Sequence, residues 1–180
     1  MKFDRSIVQT PFQSPLGPLV LAATTRGLAG LWFERQRHLP AALLALPTGS
    51  GADVWPSDAD HPVLKIAMQQ LTGYFAGTHT LFNLPLDLTG GTPFQQSVWQ
   101  ALLAIPTGTT ASYGQISRRI GKPAAVRAVG AAVGRNPISI IVPCHRVMGA
   151  DFSLTGYAGG LDRKSALLRL EGVLHLKDLF

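Results

Sequence analysis

The chain has one cysteine in 180 residues. With a single thiol, no internal disulfide can form, and neither can a zinc cluster built on several thiolates. Long apolar runs are also missing. No stretch approaches the roughly 18 to 20 residues that a membrane-crossing helix needs, and the opening segment MKFDRSIVQTPF lacks the apolar core of a secretory leader. The expectation is a soluble cytoplasmic protein. Acids are scarce and unevenly placed, with none between Asp87 and Asp151. The chain is nonetheless well stocked for folding: 46% of residues are hydrophobic and mean hydropathy is +0.19, which excludes disorder and allows one large or two small cores.

The formal charge of +6 is segregated. Residues 1–90 carry six Lys/Arg against six Asp/Glu, whereas residues 91–180 carry ten against four. Arg118, Arg119, Lys122, Arg127, Arg135 and Arg146 all fall in the acid-free gap. Such a bias reads as a polyanion-binding surface, with a basic face kept for solubility as the plainer alternative.

In the first half, short apolar runs at 6–12, 19–25 and 28–33 predict three strands, separated by turns at 14–18 and 26–27. Residues 40–60 read as a loop with room for one short helix, Asp60 as the cap of a helix over 62–75, and 81–86 as a further strand. From Thr92 the pattern turns helical. Helices are predicted over 93–105, over 113–120 capped by Ser112 and ended by Gly121, over 124–134, and from Asp162 as cap to Glu171. The β-branched run 138–142 predicts a buried extended segment. The predicted architecture is α+β: an N-terminal α/β domain over 1–88 and a mainly helical domain over 89–180.

The helices over 113–120 and 124–134, joined by Gly121-Lys122-Pro123, have helix-turn-helix spacing. The second is rich in Ala and Gly and offers Arg127 as its one long polar side chain. Reading base edges in the major groove takes long polar side chains. Small residues instead let a backbone approach closely, either in a core or in a minor groove. Arg127 standing alone among alanines favours the groove.

Cys144 lies in Val142-Pro143-Cys144-His145-Arg146-Val147. An isolated cysteine is commonly an inert core residue, but a base and a cation within two positions are the neighbours that activate a thiolate. On an extended chain His145 would face away from Cys144, so a proton relay through water is expected. A basic imidazole needs an orienting carboxylate. Glu171 sits on the apolar stripe of Leu167 and Leu168, which points it inward and makes it the candidate orienter, with a frayed, exposed Glu at a helix end as the plainer alternative. His38, His61, His79 and His175 have no comparable neighbours and read as surface or structural.

These residues form a family pattern. The motif 142–147, with Ser112-Tyr113-Gly114-Gln115, Arg127-Ala128-Val129-Gly130 and Asn136-Pro137 before it, closely resembles the methylated-DNA–protein-cysteine methyltransferases (O6-alkylguanine-DNA alkyltransferases). Leu154-Thr155-Gly156-Tyr157-Ala158-Gly159-Gly160, Lys164, Leu167-Leu168 and Glu171-Gly172 extend the match through about residues 92–172. The resemblance implies a ribonuclease-H-like first domain and a protein that acts once, taking an alkyl group from O6-alkylguanine, and from O4-alkylthymine, onto Cys144. It implies that His145 draws off the thiol proton through water, that Glu171 holds His145, that Tyr113 protonates the departing guanine, and that Asn136 ties the recognition helix to the active-site segment. It places Ala125, Val126, Arg127, Ala128, Gly130 and Tyr113 against the minor groove of double-stranded DNA, with Arg127 filling the gap left by a flipped base. Val147, Gly156, Tyr157 and Ala158 would line the base pocket. No metal or organic cofactor is implied, and a monomer is expected in the free form. Phe152 departs from the pattern at a position where glycine or another small turn residue is usual, which bears on loop shape and on tolerance of bulky alkyl groups. Three other readings compete: a lesion sensor that binds without transfer, a thiol hydrolase, and a DNA-binding regulator.

Overall fold

A computed structural model describes residues 1–44 and 54–174. The chain divides into two compact units, Met1–Gly90 and Gly91–Phe180.

The first unit is built on an antiparallel meander of β1 (Val8–Ser14), β2 (Gly17–Thr24) and β3 (Gly27–Phe33), in that order across the sheet. All seven residues of β3 are buried, as expected of a continuous apolar run covered on both faces. Gly27 has φ +151°, and a Cβ there would stand 2.5 Å from the Pro85 carbonyl oxygen. That opening lets the Leu28 N–H reach Pro85 O (2.8 Å) and the Asp87 N–H reach Leu28 O (2.7 Å). The expected strand over 81–86 shrinks to one bridge, Leu28 with Leu86, because Pro85 has no N–H to extend a ladder. After the short α1 (Ala41–Leu44), α2 (Pro62–Phe75) buries Leu64, Ala67, Leu71 and Tyr74. Its N-cap is His61, not Asp60, and no side chain caps it. Asp60 instead pairs with Lys65 at 2.7 Å.

The second unit opens with α3 (Pro93–Leu103), started by a reciprocal capping box between Thr92 and Gln95. A second capping box, Ser112 with Gln115, starts α4 (Tyr113–Arg119). Gly121, at φ +69°, then turns the chain toward α5 (Val126–Gly134), which begins two residues later than expected and has Ala125 as an N-cap without a side-chain bond. The Trp99 indole N–H donates to Ala132 O at 2.9 Å, fastening α3 to α5. The run 138–142 is buried but not extended. Ile140 sits at φ +71°, with tight bonds from Ile141 N–H to Ser139 O (2.8 Å) and from Val142 N–H to Ile138 O (3.0 Å). A single 3-10 turn, Cys144–Arg146, follows, then β5 (Val147–Met148) and α6 (Leu161–Leu170). Gly160, at φ +96°, is the N-cap of α6. Asp162 lies inside the first turn and does not cap it. β5 pairs in parallel with β4 (Ala111–Ser112), setting Ala111 beside Val147 and Ser112 beside Met148. That short ladder brings the start of α4, and so Tyr113, next to the cysteine turn. Among the described residues no helix is long and apolar enough to cross a membrane.

Candidate active site

Cys144 is 4% exposed and is held by Asn136. The Asn136 amide nitrogen lies 2.8 Å from Val142 O, 3.3 Å from Ile138 O and 3.0 Å from Cys144 Sγ, while its Oδ1 accepts from Ile138 N–H at 3.0 Å. One side chain thus gathers the carbonyls of 138 and 142 around itself and curls the backbone, overriding the extended preference of the β-branched run. Burial pushes the Cys144 thiol up to about 11, with the Asn136 bond and the Lys164 charge working against it. At neutral pH the sulfur therefore rests as a thiol and needs a base before it can act.

The 3-10 turn replaces the extended geometry expected at 144–146 and lets the adjacent His145 and Arg146 converge on one carboxylate. His145 is fully buried and its Nε2 lies 2.8 Å from Glu171 Oε1. The Glu171 side chain is 1% exposed. Burial alone would raise its carboxyl, but bonds from His145 and Arg146 outweigh that and hold it at about 2. Arg146 grips the same carboxylate twice, Nε to Oε2 at 2.8 Å and Nη2 to Oε1 at 2.9 Å. An ionised carboxylate only accepts, so Nε2 of His145 carries the hydrogen. Burial lowers the His145 pKa below 6.5, against the pull of Glu171, so the ring is neutral at pH 7 and Nδ1 is its lone-pair nitrogen. Nδ1 is buried and makes no hydrogen bond. A proton acceptor with a fixed tautomer therefore stands one residue from a protonated thiol.

Two cations do more in the site than the sequence assigns them. Arg146, read from the sequence as part of the basic bias and as the cation beside the thiol, is 6% exposed and also donates to Ile105 O at 2.5 Å and to Thr107 Oγ1 at 3.1 Å. Lys164 is wholly buried, and its ammonium donates to Val147 O (2.5 Å) and Thr155 O (2.6 Å). Burial brings it down to about 8. Its signal was available, since Lys164 precedes Leu167 and Leu168 by three and four positions, the same helical spacing that pointed Glu171 inward.

Tyr113 is half-buried, hydrogen-bonded with Thr155, and its pKa is raised by burial. Its ring lies 3.8 Å from where a Cβ on Gly130 would be, and its hydroxyl 3.8 Å from that of Gly156. It therefore stands between α5 and the segment carrying Gly156, Tyr157 and Ala158. Val147 and Tyr157 are buried, Ala158 is half-buried and Gly156 is exposed. On α5 the faces divide. Val129, Ala132 and Val133 are buried, Ala125 and Gly130 are half-buried, and Val126, Arg127, Ala128 and Ala131 are exposed. Small residues serve both tight packing and a smooth outer face, so one side of this helix packs into the core and the other is exposed. Arg118, Arg119, Lys122 and Arg135 are exposed as well. His38 and His79 are exposed and His61 is partly buried, while His175 lies outside the described residues.

A helix-turn-helix with a smooth basic outer face, backed by a buried thiol and a His–Glu pair, defines a nucleic-acid-facing protein with a cysteine nucleophile. The comparisons with known proteins place it further. Residues 93–173 match the DNA binding domain of 6-O-methylguanine DNA methyltransferase, and residues 7–88 match its ribonuclease-like domain. The methylated-DNA–protein-cysteine methyltransferase of Mycobacterium tuberculosis is 50% identical over 158 residues, 88% of each chain. That of Methanosarcina acetivorans is 47% identical over 161 residues, covering 89% of this chain and 96% of that protein. The crystal structure of Mycobacterium tuberculosis OGT in complex with DNA is similar at TM-score 0.75 and 48% identity, across 92% of this chain and 91% of that one. The chain belongs to the 6-O-methylguanine DNA methyltransferase family.

Proposed function

We infer that this protein repairs alkylated DNA by direct reversal, moving the alkyl group of O6-alkylguanine, and of O4-alkylthymine, to Cys144 in a single irreversible event. The observation that supports this most is the pairing of a buried, protonated thiol with a neutral imidazole whose free nitrogen can take its proton. The thiol proton passes to His145 Nδ1 through one solvent molecule, and the imidazolium that forms is stabilised by the Glu171 carboxylate. The thiolate sulfur then attacks the alkyl carbon, the C–O6 bond breaks, and its electron pair goes to the purine. Tyr113 supplies the proton that lets guanine leave neutral, and the proton on His145 makes good that loss through solvent. The product is a thioether, which water does not cleave, so each molecule acts once. Asn136 positions the sulfur and ties the recognition segment to it. Val147, Gly156, Tyr157 and Ala158 form the base pocket.

The partner is double-stranded DNA. The exposed face of α5, through Val126, Arg127 and Ala128 with Ala125 and Gly130 behind them, enters the minor groove, and Arg127 takes the space of the extruded nucleotide. The free protein is a monomer of the cytoplasm that gathers on DNA, needing neither metal nor organic cofactor. The readings as lesion sensor or hydrolase are separated from transfer by intact-protein mass spectrometry after mixing with excess duplex carrying one O6-methylguanine. Transfer adds the mass of one methylene, mapped to Cys144 and stopping at one per molecule. Cys144→Ser abolishes the gain and keeps lesion binding. An unchanged mass in the unaltered protein overturns the reading.

A further inference from the structure

The turn between β5 and the pocket segment carries a residue that folding alone does not account for. Phe152 is 75% exposed, more than any other large hydrophobic side chain among the described residues of the second unit. Its backbone sits at φ +62°, a left-handed conformation that glycine adopts freely and that a bulky side chain disfavours. A ring that gains nothing from burial and strains its own backbone marks a functional position.

The loop that carries the ring is closed by its own hydrogen bonds. Gly149 N–H donates to Ser153 O at 3.0 Å and Phe152 N–H to Gly149 O at 3.1 Å. The Asp151 carboxylate accepts from Ser153 N–H (3.1 Å) and Oγ (2.6 Å). A Cβ on Gly149 would fall 2.6 Å from Ser153 Oγ and 2.7 Å from Asp151 Oδ1, so a side chain there would displace the Ser153–Asp151 bond. Both ends are pinned by one ammonium, Lys164 Nζ to Val147 O and Thr155 O. The backbone that carries the ring is therefore fixed before binding, and only the side-chain rotamer remains to be set.

The chemistry of the tip selects its target. Residues 147–155 contain no Lys or Arg, and Asp151 beside Phe152 is an exposed acid. A phosphate would be repelled there. The π-face of a base would not, since stacking on an aromatic ring needs no charge and accepts any base. Thr155, the pinned end of the loop, lies next to Gly156 and bonds Tyr113, so the loop that carries Phe152 runs directly into the segment proposed above to line the base pocket.

We propose that Phe152 stacks on a nucleobase of the damaged duplex left unpaired or unstacked when the alkylated nucleotide is extruded, making it a DNA-engaging residue. This rests on the function inferred above. The test compares single-turnover transfer from O6-methylguanine in duplex and as the free base in the unaltered protein, Phe152→Ala, Phe152→Gly and Phe152→Trp, with melting temperatures alongside. Phe152→Ala and Phe152→Gly lose roughly tenfold on duplex and stay within about twofold on the free base, while Phe152→Trp keeps the duplex rate. Phe152→Gly melts no lower than the unaltered protein, because it relieves the left-handed backbone, so its loss cannot be laid to misfolding. Duplex rates unchanged in Ala and Gly overturn the proposal. So does an equal loss on both substrates, which makes the loop a pocket wall, or a Trp variant as slow as Ala. If the unaltered protein transfers nothing from either substrate, it is the function and not the stacking that has failed.

Discussion

At the scale of single residues, the site depends on Glu171 staying ionised where burial opposes it. Its carboxyl is held at about 2, against an ordinary 4.5, by His145 and Arg146. A carboxylate whose folded pKa is depressed contributes stability that is fully present above 4.5 and is lost as pH falls toward 2. With a side chain 1% exposed, solvent screening takes little from that contribution. Glu171→Gln is therefore less stable than the unaltered protein at pH 7, by on the order of a few kcal/mol. Urea unfolding of both proteins should show the gap narrowing between pH 4.5 and pH 2. A gap that does not change with pH would mean that the carboxylate charge is not what holds the site. The inward position of Glu171 could be read from helical spacing alone. The double grip of Arg146 could not, because that guanidinium reaches Glu171, Ile105 and Thr107, residues 25 to 41 positions away.

At the scale of elements, what was legible was what is local. Both capping boxes were half-visible as Thr92 and Ser112 before apolar helices, and α2 runs over 62–75 as its Pro and Gly boundaries foretold. Asp60 and Asp162 misled because an acid near a helix start can equally bond a lysine or sit inside the first turn. The curl at 138–142 was illegible because it is imposed by the Asn136 amide. Propensity describes a residue among its neighbours, whereas this turn is set by one side chain reaching along the chain. The outer face of α5 yields a prediction at this scale. Ala131 is exposed there, so Ala131→Glu leaves the core intact and the melting temperature within about 2 °C, given a surface change of under roughly 0.5 kcal/mol. It should weaken binding to duplex severalfold through a carboxylate set against phosphates, with free-base transfer unchanged. Equal loss on both substrates would remove α5 from the DNA face.

Across the whole molecule, all the net charge belongs to residues 91–180, and the structure refines which cations matter. Arg146 and Lys164 are consumed inside the site, while Arg118, Arg119, Lys122, Arg127 and Arg135 face solvent. If each releases about one counterion, the logarithm of the duplex binding constant should fall with the logarithm of salt at a slope no steeper than about −4 to −5. Fluorescence anisotropy at several salt concentrations measures it. A slope near zero would remove those cations from the DNA interface. A much steeper one would require contacts beyond this set.

The packing around the sulfur has a last consequence. Asn136 Nδ2 stands 3.0 Å from Sγ, and Cys144 is 4% exposed. A methyl group added there crowds the Asn136 amide and weakens the sulfur as an acceptor, a cost of roughly 1 to 3 kcal/mol. At about 2 to 4 °C per kcal/mol for a chain of this size, the reacted protein should melt several degrees lower than the fresh one in differential scanning calorimetry. In a mixture the two forms would appear as separate transitions whose areas give the fraction reacted, so the protein works as a dosimeter, recording in its own heat stability how much damage it has met.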